Sequence, residues 1–186
     1  MGIFDKLSVI FNKLFVRRPR ERLSPFELRV MGSHSALAHA RKLLDELRKE
    51  RRNADIEQRV REGYLDSLIR ELAETAWASW DPDDKGGSED CIDFCKEVLV
   101  ILNSPKFSGV EHRLYYVAMI IGVQGLCQKT LAHGAFIQRN SSEELRLLRE
   151  AEHCLEECLS SKNMIGEQTV FHSALNEVKI RLNELR

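Results

Sequence analysis

Leu114-Tyr115-Tyr116-Val117-Ala118-Met119-Ile120-Ile121-Gly122-Val123 is the most apolar stretch of the chain. It is too short to cross a bilayer, which takes about 20 such residues as a helix. It reads instead as the middle of a buried central helix, surrounded by others. Ser108 and Glu111 form a capping box ahead of it, and the apolar run carries the predicted helix to about Ala135.

Working outward, the same helical period repeats on both sides and no sustained two-residue alternation interrupts it. Towards the C-terminus, Ser141 and Glu144 make a further capping box, for a helix reaching about Ser160. A last helix runs from about Gln168 through Val170, Ala174, Leu175, Val178 and Leu182. Towards the N-terminus, a helix over about residues 89–102 is closed by Ser104-Pro105, and residues 81–87 form the longest clear loop. Before that loop, Asn53 caps a helix whose buried side is Ile56, Val60, Leu65, Leu68, Leu72, Ala76 and Trp80. Ser24-Pro25-Phe26-Glu27 opens the helix before it, which carries Ala36, Leu37, Ala40, Leu44 and Leu47 to about Arg52. Gly32-Ser33 is its expected point of kinking or restart.

The expected fold is therefore all-α: a helical bundle or stacked helical hairpins of about six helices, plus an N-terminal amphipathic helix. Residues 1–23 form that helix and its basic connector, and residues 24–186 form a single α-helical domain. With 43% apolar and 31% charged residues the chain has enough apolar surface to bury a core, which separates it from disordered chains. A net charge of −1 argues against a general electrostatic nucleic-acid binder. An odd count of 5 cysteines, with no secretory leader pattern, points to a reducing, cytoplasmic setting.

Charge is unevenly placed. Residues 1–22 hold Lys6, Lys13, Arg17, Arg18, Arg20 and Arg22 against Asp5 and Glu21, a net +4, which leaves −5 for the rest. Within residues 2–16, Ile3, Phe4, Leu7, Ile10, Phe11, Leu14 and Phe15 share one arc of a helical wheel, with only Val9 out of place. Pro19 should end that helix. Such a segment suits an anionic membrane surface, with its apolar face down and Lys13, Arg17 and Arg18 reaching headgroups. The same face also suits the protein's own body, a second copy in a homo-oligomer, or a partner protein's groove. The segment resembles short cationic membrane-surface peptides that open Gly-hydrophobe-Phe-Asp, which implies peripheral attachment to the inner face of a membrane. Lys6 stands where an N-myristoylation signal needs Ser or Thr.

Four other constellations bear on chemistry. Cys91 and Cys95, and Cys154 and Cys158, each share a helix face, but their apolar continuation reads as core and no metal is assigned to them. Glu150-Ala151-Glu152-His153 is half of a di-iron pattern without its second copy. The six histidines are otherwise scattered, and a solvated or capping role is expected of each. The Asp81 loop fails as a calcium loop, because Lys85 and Ile92 stand where ligands are needed. Arg41, Arg48, Lys49, Arg51 and Arg52 form a basic stripe, yet Asp45, Glu46 and Glu50 interleave with it, so nucleic acid is not the expected partner.

Glu71-x-x-Glu74 followed across the loop by Asp90-x-x-Asp93 places four carboxylates on adjacent helices. That pattern resembles the all-α nucleotide pyrophosphatases of the MazG type, where Glu-x-x-Glu is followed by Glu-x-x-Asp; here Asp90 departs from it. The resemblance implies Mg²⁺-dependent hydrolysis of a nucleoside triphosphate, with these four carboxylates as catalytic ligands. On helical wheels, however, all four fall off the apolar faces and read as solvated surface. The preferred expectation is accordingly a non-enzymatic interaction protein without a cofactor.

Overall fold

Six α-helices carry nearly all of the described residues: α1 Ser33–Arg52, α2 Tyr64–Ser79, α3 Lys85–Leu102, α4 Arg113–Ile137, α5 Ser141–Ser160 and α6 Gln168–Glu184. A 3-10 turn, Pro105–Phe107, joins α3 to α4, and no strand occurs among the described residues. This computed structural model describes residues 32–52, 58, 63–162, 164 and 168–185. The expected N-terminal helix, its connector and the start of the next helix lie outside them.

The all-α expectation holds, and α4 occupies the centre. It packs against α2, α3, α5 and α6, while α1 lies on α2 and α3. Ile120, Val123, Leu126 and Cys127 of α4 are buried to within 1% of full exclusion, as a helix apolar on all sides requires. Only its two ends carry exposed large apolar side chains, Leu114 at 52% in the first turn and Phe136 and Ile137 in the last.

Two α4 glycines set how closely the other helices approach. A Cβ on Gly122 would lie 2.5 Å from the Phe171 ring of α6 and 2.8 Å from Cys158 Sγ of α5. A Cβ on Gly125 would lie 2.9 Å from Leu155 Cγ of α5. The missing side chains are filled by those neighbours. Phe171, fully buried, then meets Trp77 of α2 edge-on at 5.3 Å between ring centroids. One aromatic side chain thus ties α6 to both α4 and α2.

The helix starts differ from the capping expectations in instructive ways. Gly32 has φ +77°, a left-handed conformation outside the helical region, and α1 begins directly after it at Ser33. Ser108 and Glu111 form no capping box: Ser108 closes the 3-10 turn, and α4 begins only at Arg113. Pro105 has already diverted the chain into that tighter turn. At α5 the cap is Asn140, whose side chain accepts from Glu143 N at 3.3 Å. Asn outcompetes Ser141 there, and Glu144 is freed for another role. α3 starts earlier than expected, because Asp84 caps it by accepting from Gly87 N at 3.0 Å. On α6, Phe171 takes the buried position and Val170, expected in the core, is 38% exposed.

Candidate functional site

A cleft of about 470 Å³ opens beside α4, between the loop that follows α2 and the helices α5 and α6. That volume lies within the usual range for ligand-sized pockets, about 300–1,000 Å³. Trp80 forms one wall, held by its indole N–H donating to Thr130 Oγ1 at 3.2 Å. Phe136 forms another, with His133 stacked on it and the Arg181 guanidinium 4.5 Å from its centroid. Ala132, Leu148 and Val178 supply the apolar floor.

The charges inside the cleft are matched across helices. Arg181 Nε donates to Glu144 Oε1 at 2.7 Å, and the Glu144 side chain is only 4% exposed. Lys129 Nζ reaches Glu177 Oε2 at 2.5 Å, and that ammonium holds the Glu177 carboxyl below its ordinary range. Both pairs join α6 to its neighbours, so they position the wall as well as neutralise it. At the lip, Asp83 is exposed and Asp81 accepts from Asp83 N at 2.9 Å. Among the described residues neither Asp81 nor Asp83 has a cationic partner.

A second cleft, of about 460 Å³, lies between α4, α3 and α5. Its walls are polar. Arg146 donates to Glu143 at 2.6 Å and to Glu150 at 2.5 Å, and Lys96 pairs with Asp93 at 3.6 Å. Gln128 Nε2 donates to Glu150 Oε2 at 3.2 Å from a nearly buried position.

The four carboxylates of the pyrophosphatase-like pattern are not brought together. Glu71 is buried, and His39 Nε2 donates to its Oε1 at 2.8 Å. This corrects two expectations: Glu71 is not a surface residue, and His39 is neither solvated nor a cap. The helical wheel failed because α2 is enclosed by α1 as well as by α4, so the face turned from one meets the other. Glu74 is half-buried near Tyr116, whose hydroxyl is pushed up to about 12, chiefly by burial and with the Asp66 and Glu74 charges adding. Asp90 is exposed and pairs with Arg41 at 3.3 Å; Asp93 pairs with Lys96 in the second cleft.

All five cysteines are buried free thiols. Cys91 shares hydrogen bonds with Cys95 and Cys127, and these bonds together with burial hold Cys95 and Cys127 well above the ordinary thiol range. Burial raises Cys154 to about 11 and Cys158 to about 12. Cys95, Cys127, Cys154 and Cys158 are thus core side chains in their protonated form, while the hydrogen bonds from Cys127 and Cys95 lower Cys91. Glu150 is taken by Arg146 and Gln128, while His153 is exposed and 3.9 Å from Glu157. Among the described residues no three His, Cys, Asp or Glu side chains converge as a metal site would need.

Ile3, Phe4, Leu7, Ile10, Phe11, Lys13, Leu14, Phe15, Arg17 and Arg18, the expected docking residues, lie outside the described residues. Sequence reasoning missed the cleft itself. Its members come from positions 80, 136, 144 and 181, and the one local signal, Glu144, suggested a cap. No helix among the described residues is long and apolar enough to cross a membrane. In comparisons with protein-family models, curated proteins and solved structures, nothing matches this chain.

Proposed function

We propose that the chain is a non-enzymatic interaction protein, an adaptor or assembly subunit. Its N-terminal amphipathic basic segment docks on a membrane surface, on the protein itself or on a partner protein. An anionic membrane is the surface its chemistry favours. The observation that carries the reading is the aromatic cleft, whose interior carboxylates, Glu144 and Glu177, are each matched by a cation from another helix. Such a cleft offers ring faces and apolar area for binding, and the carboxylates of its interior are held by cations rather than left free. The carboxylates that a nucleotide hydrolase would use face separate neighbours, which also favours binding over hydrolysis. The +4 charge of residues 1–22, against −5 for the rest, makes that segment the part attracted to anionic headgroups.

Co-sedimentation with vesicles tests this. The full chain is expected to bind phosphatidylserine-containing vesicles more than neutral ones, with binding weakened by salt and lost in Phe11→Asp. Equal retention of Phe11→Asp would remove the segment from the docking role. Absence of binding to any lipid would leave self-docking or a protein partner as the occupant of that apolar face.

A further inference from the structure

We propose that the cleft walled by Trp80 and Phe136 is the seat of this chain's own N-terminal segment, which occupies it through Phe11, Leu14 and Phe15 until a membrane competes for the same side chains. The inference rests on reading residues 2–16 as the docking element.

Three observations converge on that occupant. The first is where the described chain begins. His34, in the first turn of α1, lies with Nε2 3.4 Å from Asp84 Oδ2. Asp84 adjoins Pro82 and Asp83, which line the cleft, so α1 starts beside the cleft's lip. Residues 16–31 connect that point to Phe15, and even wholly helical they span roughly 24 Å. The segment therefore reaches the cleft without rearrangement of the body, and a tether this short gives it an effective concentration on the order of millimolar. A few side chains suffice for docking under that condition.

The second observation is charge. The lip carries Asp81 and Asp83, neither with a cationic partner among the described residues, while the connector carries Arg17, Arg18, Arg20 and Arg22. Opposite charges meet where the connector must pass. Inside the cleft the ion pairs cancel, so entering apolar side chains meet no unmatched carboxylate.

The third is size and surface. A cleft of about 470 Å³ takes a few anchoring side chains and not a whole helix. Phe11, Leu14 and Phe15 follow the i, i+3, i+4 spacing that presents anchors together from one helix face. Phe136, 48% exposed at the rim, offers them an aromatic surface. The outcome is a stored docking element, released when anionic lipid outbids the cleft for one apolar face.

Trp80 reports occupancy directly, because the chain has only 2 tryptophans and the other, Trp77, packs on Phe171 beneath the cleft. In a full-length Trp77→Phe background, acrylamide quenching of Trp80 is measured with and without Phe11→Asp, over a range of protein concentrations. Vesicle binding of Phe136→Ser, an exposed change that leaves the core intact, is measured alongside. The expected results are a severalfold rise in quenching for Phe11→Asp, protection independent of concentration in the parent, and stronger binding of Phe136→Ser to phosphatidylserine vesicles. Unchanged quenching in Phe11→Asp overturns the proposal, and if vesicle binding is lost in the same variant the membrane reading stands without it. Raised quenching with no vesicle binding by any form keeps the seat and overturns the membrane reading. Protection that disappears on dilution places a second copy's segment in the cleft and overturns self-storage.

Discussion

The two clefts beside α4 have nearly equal volumes, about 470 and 460 Å³, and opposite chemistry. One is floored by Ala132, Leu148 and Val178 and walled by aromatic rings; the other is crossed by Arg146, Lys96 and their carboxylates. What separates them is where the ion pairs sit. In the aromatic cleft Glu144 is buried and Arg181 comes from another helix, so the pair holds two walls at a fixed distance. In the polar cleft Arg146 pairs with Glu143 and Glu150 of its own helix, in water, and fixes no inter-helix spacing. Equal volume therefore does not mean equal recognition: the first cleft is a shaped apolar seat, and the second is a solvated seam.

The largest expected effect comes from the thiols buried where α5 packs on α4, the helix that both clefts share. Cys154 and Cys158 of α5 face α4, and burial raises them to about 11 and about 12 against an ordinary 9.0. Below pH 9 both are protonated whether the chain is folded or unfolded, and their contribution to stability is fully present. Above pH 9 the unfolded chain loses protons that the native chain retains, so stability falls as pH rises through the range from 9 towards 12. A thermal unfolding series should show Tm level across neutral pH and dropping steeply above 9. Ellman's reagent at pH 7.5 should leave the native thiols unreacted and titrate all 5 after unfolding. A native thiol reacting rapidly would mean that the packing of the core around α4 opens to solvent.

Next in size is the contrast between the two arginines. Arg181→Met strips the cation from a carboxylate that is 4% exposed and has nowhere to go for water. Leaving a buried carboxylate without its cation is strongly destabilising; solvent around the exposed guanidinium screens part of this, and the loss should still exceed that of the exposed Arg146 pairs. Arg146→Ala removes exposed pairs within one helix and should cost less than about 1 kcal/mol. Urea unfolding of the two variants side by side measures both, and equal losses would dissolve the distinction between the clefts.

How much of this was legible in the sequence follows from which interactions are local. The helices were legible because their periodicity lies within neighbouring turns, and Ala36, Leu44, Leu68 and Ala174 are buried as the wheels required. Caps were half-legible: Asn140 displaced Ser141 by one position, since both present an oxygen and only the relaxed geometry chooses. Glu71 was misread because a wheel shows one helix at a time, and its partner His39 comes from α1. The aromatic cleft was not legible at all. Trp80, Phe136 and Arg181 come from separate elements and are gathered only by helix packing, and Gly122, which admits the Phe171 ring of α6 against α4, gives as a lone glycine in an apolar run no sign of what fills its missing side chain.

Glycines supply the finest test of the comparison. Gly122→Ala places a methyl 2.5 Å from the Phe171 ring and 2.8 Å from Cys158 Sγ, and both are locked in the core. Overpacking of this kind costs about 1–3 kcal/mol, and by displacing Phe171 it should shift α6 and widen the aromatic cleft. Gly134→Ala meets an equally short contact, 2.5 Å to Lys85 Cε, at the margin of the polar cleft. There the obstacle is the flexible end of a lysine with open solvent to move into. Once Lys85 swings aside, the substitution keeps the helical propensity advantage of alanine over glycine, about 1 kcal/mol. Gly134→Ala is therefore expected to leave stability unchanged or raise it slightly, while Gly122→Ala lowers it, although the two contacts begin at the same distance. If chemical denaturation gives both variants the same loss, packing around the polar cleft is as rigid as around the aromatic one, and the solvated-seam account of it fails.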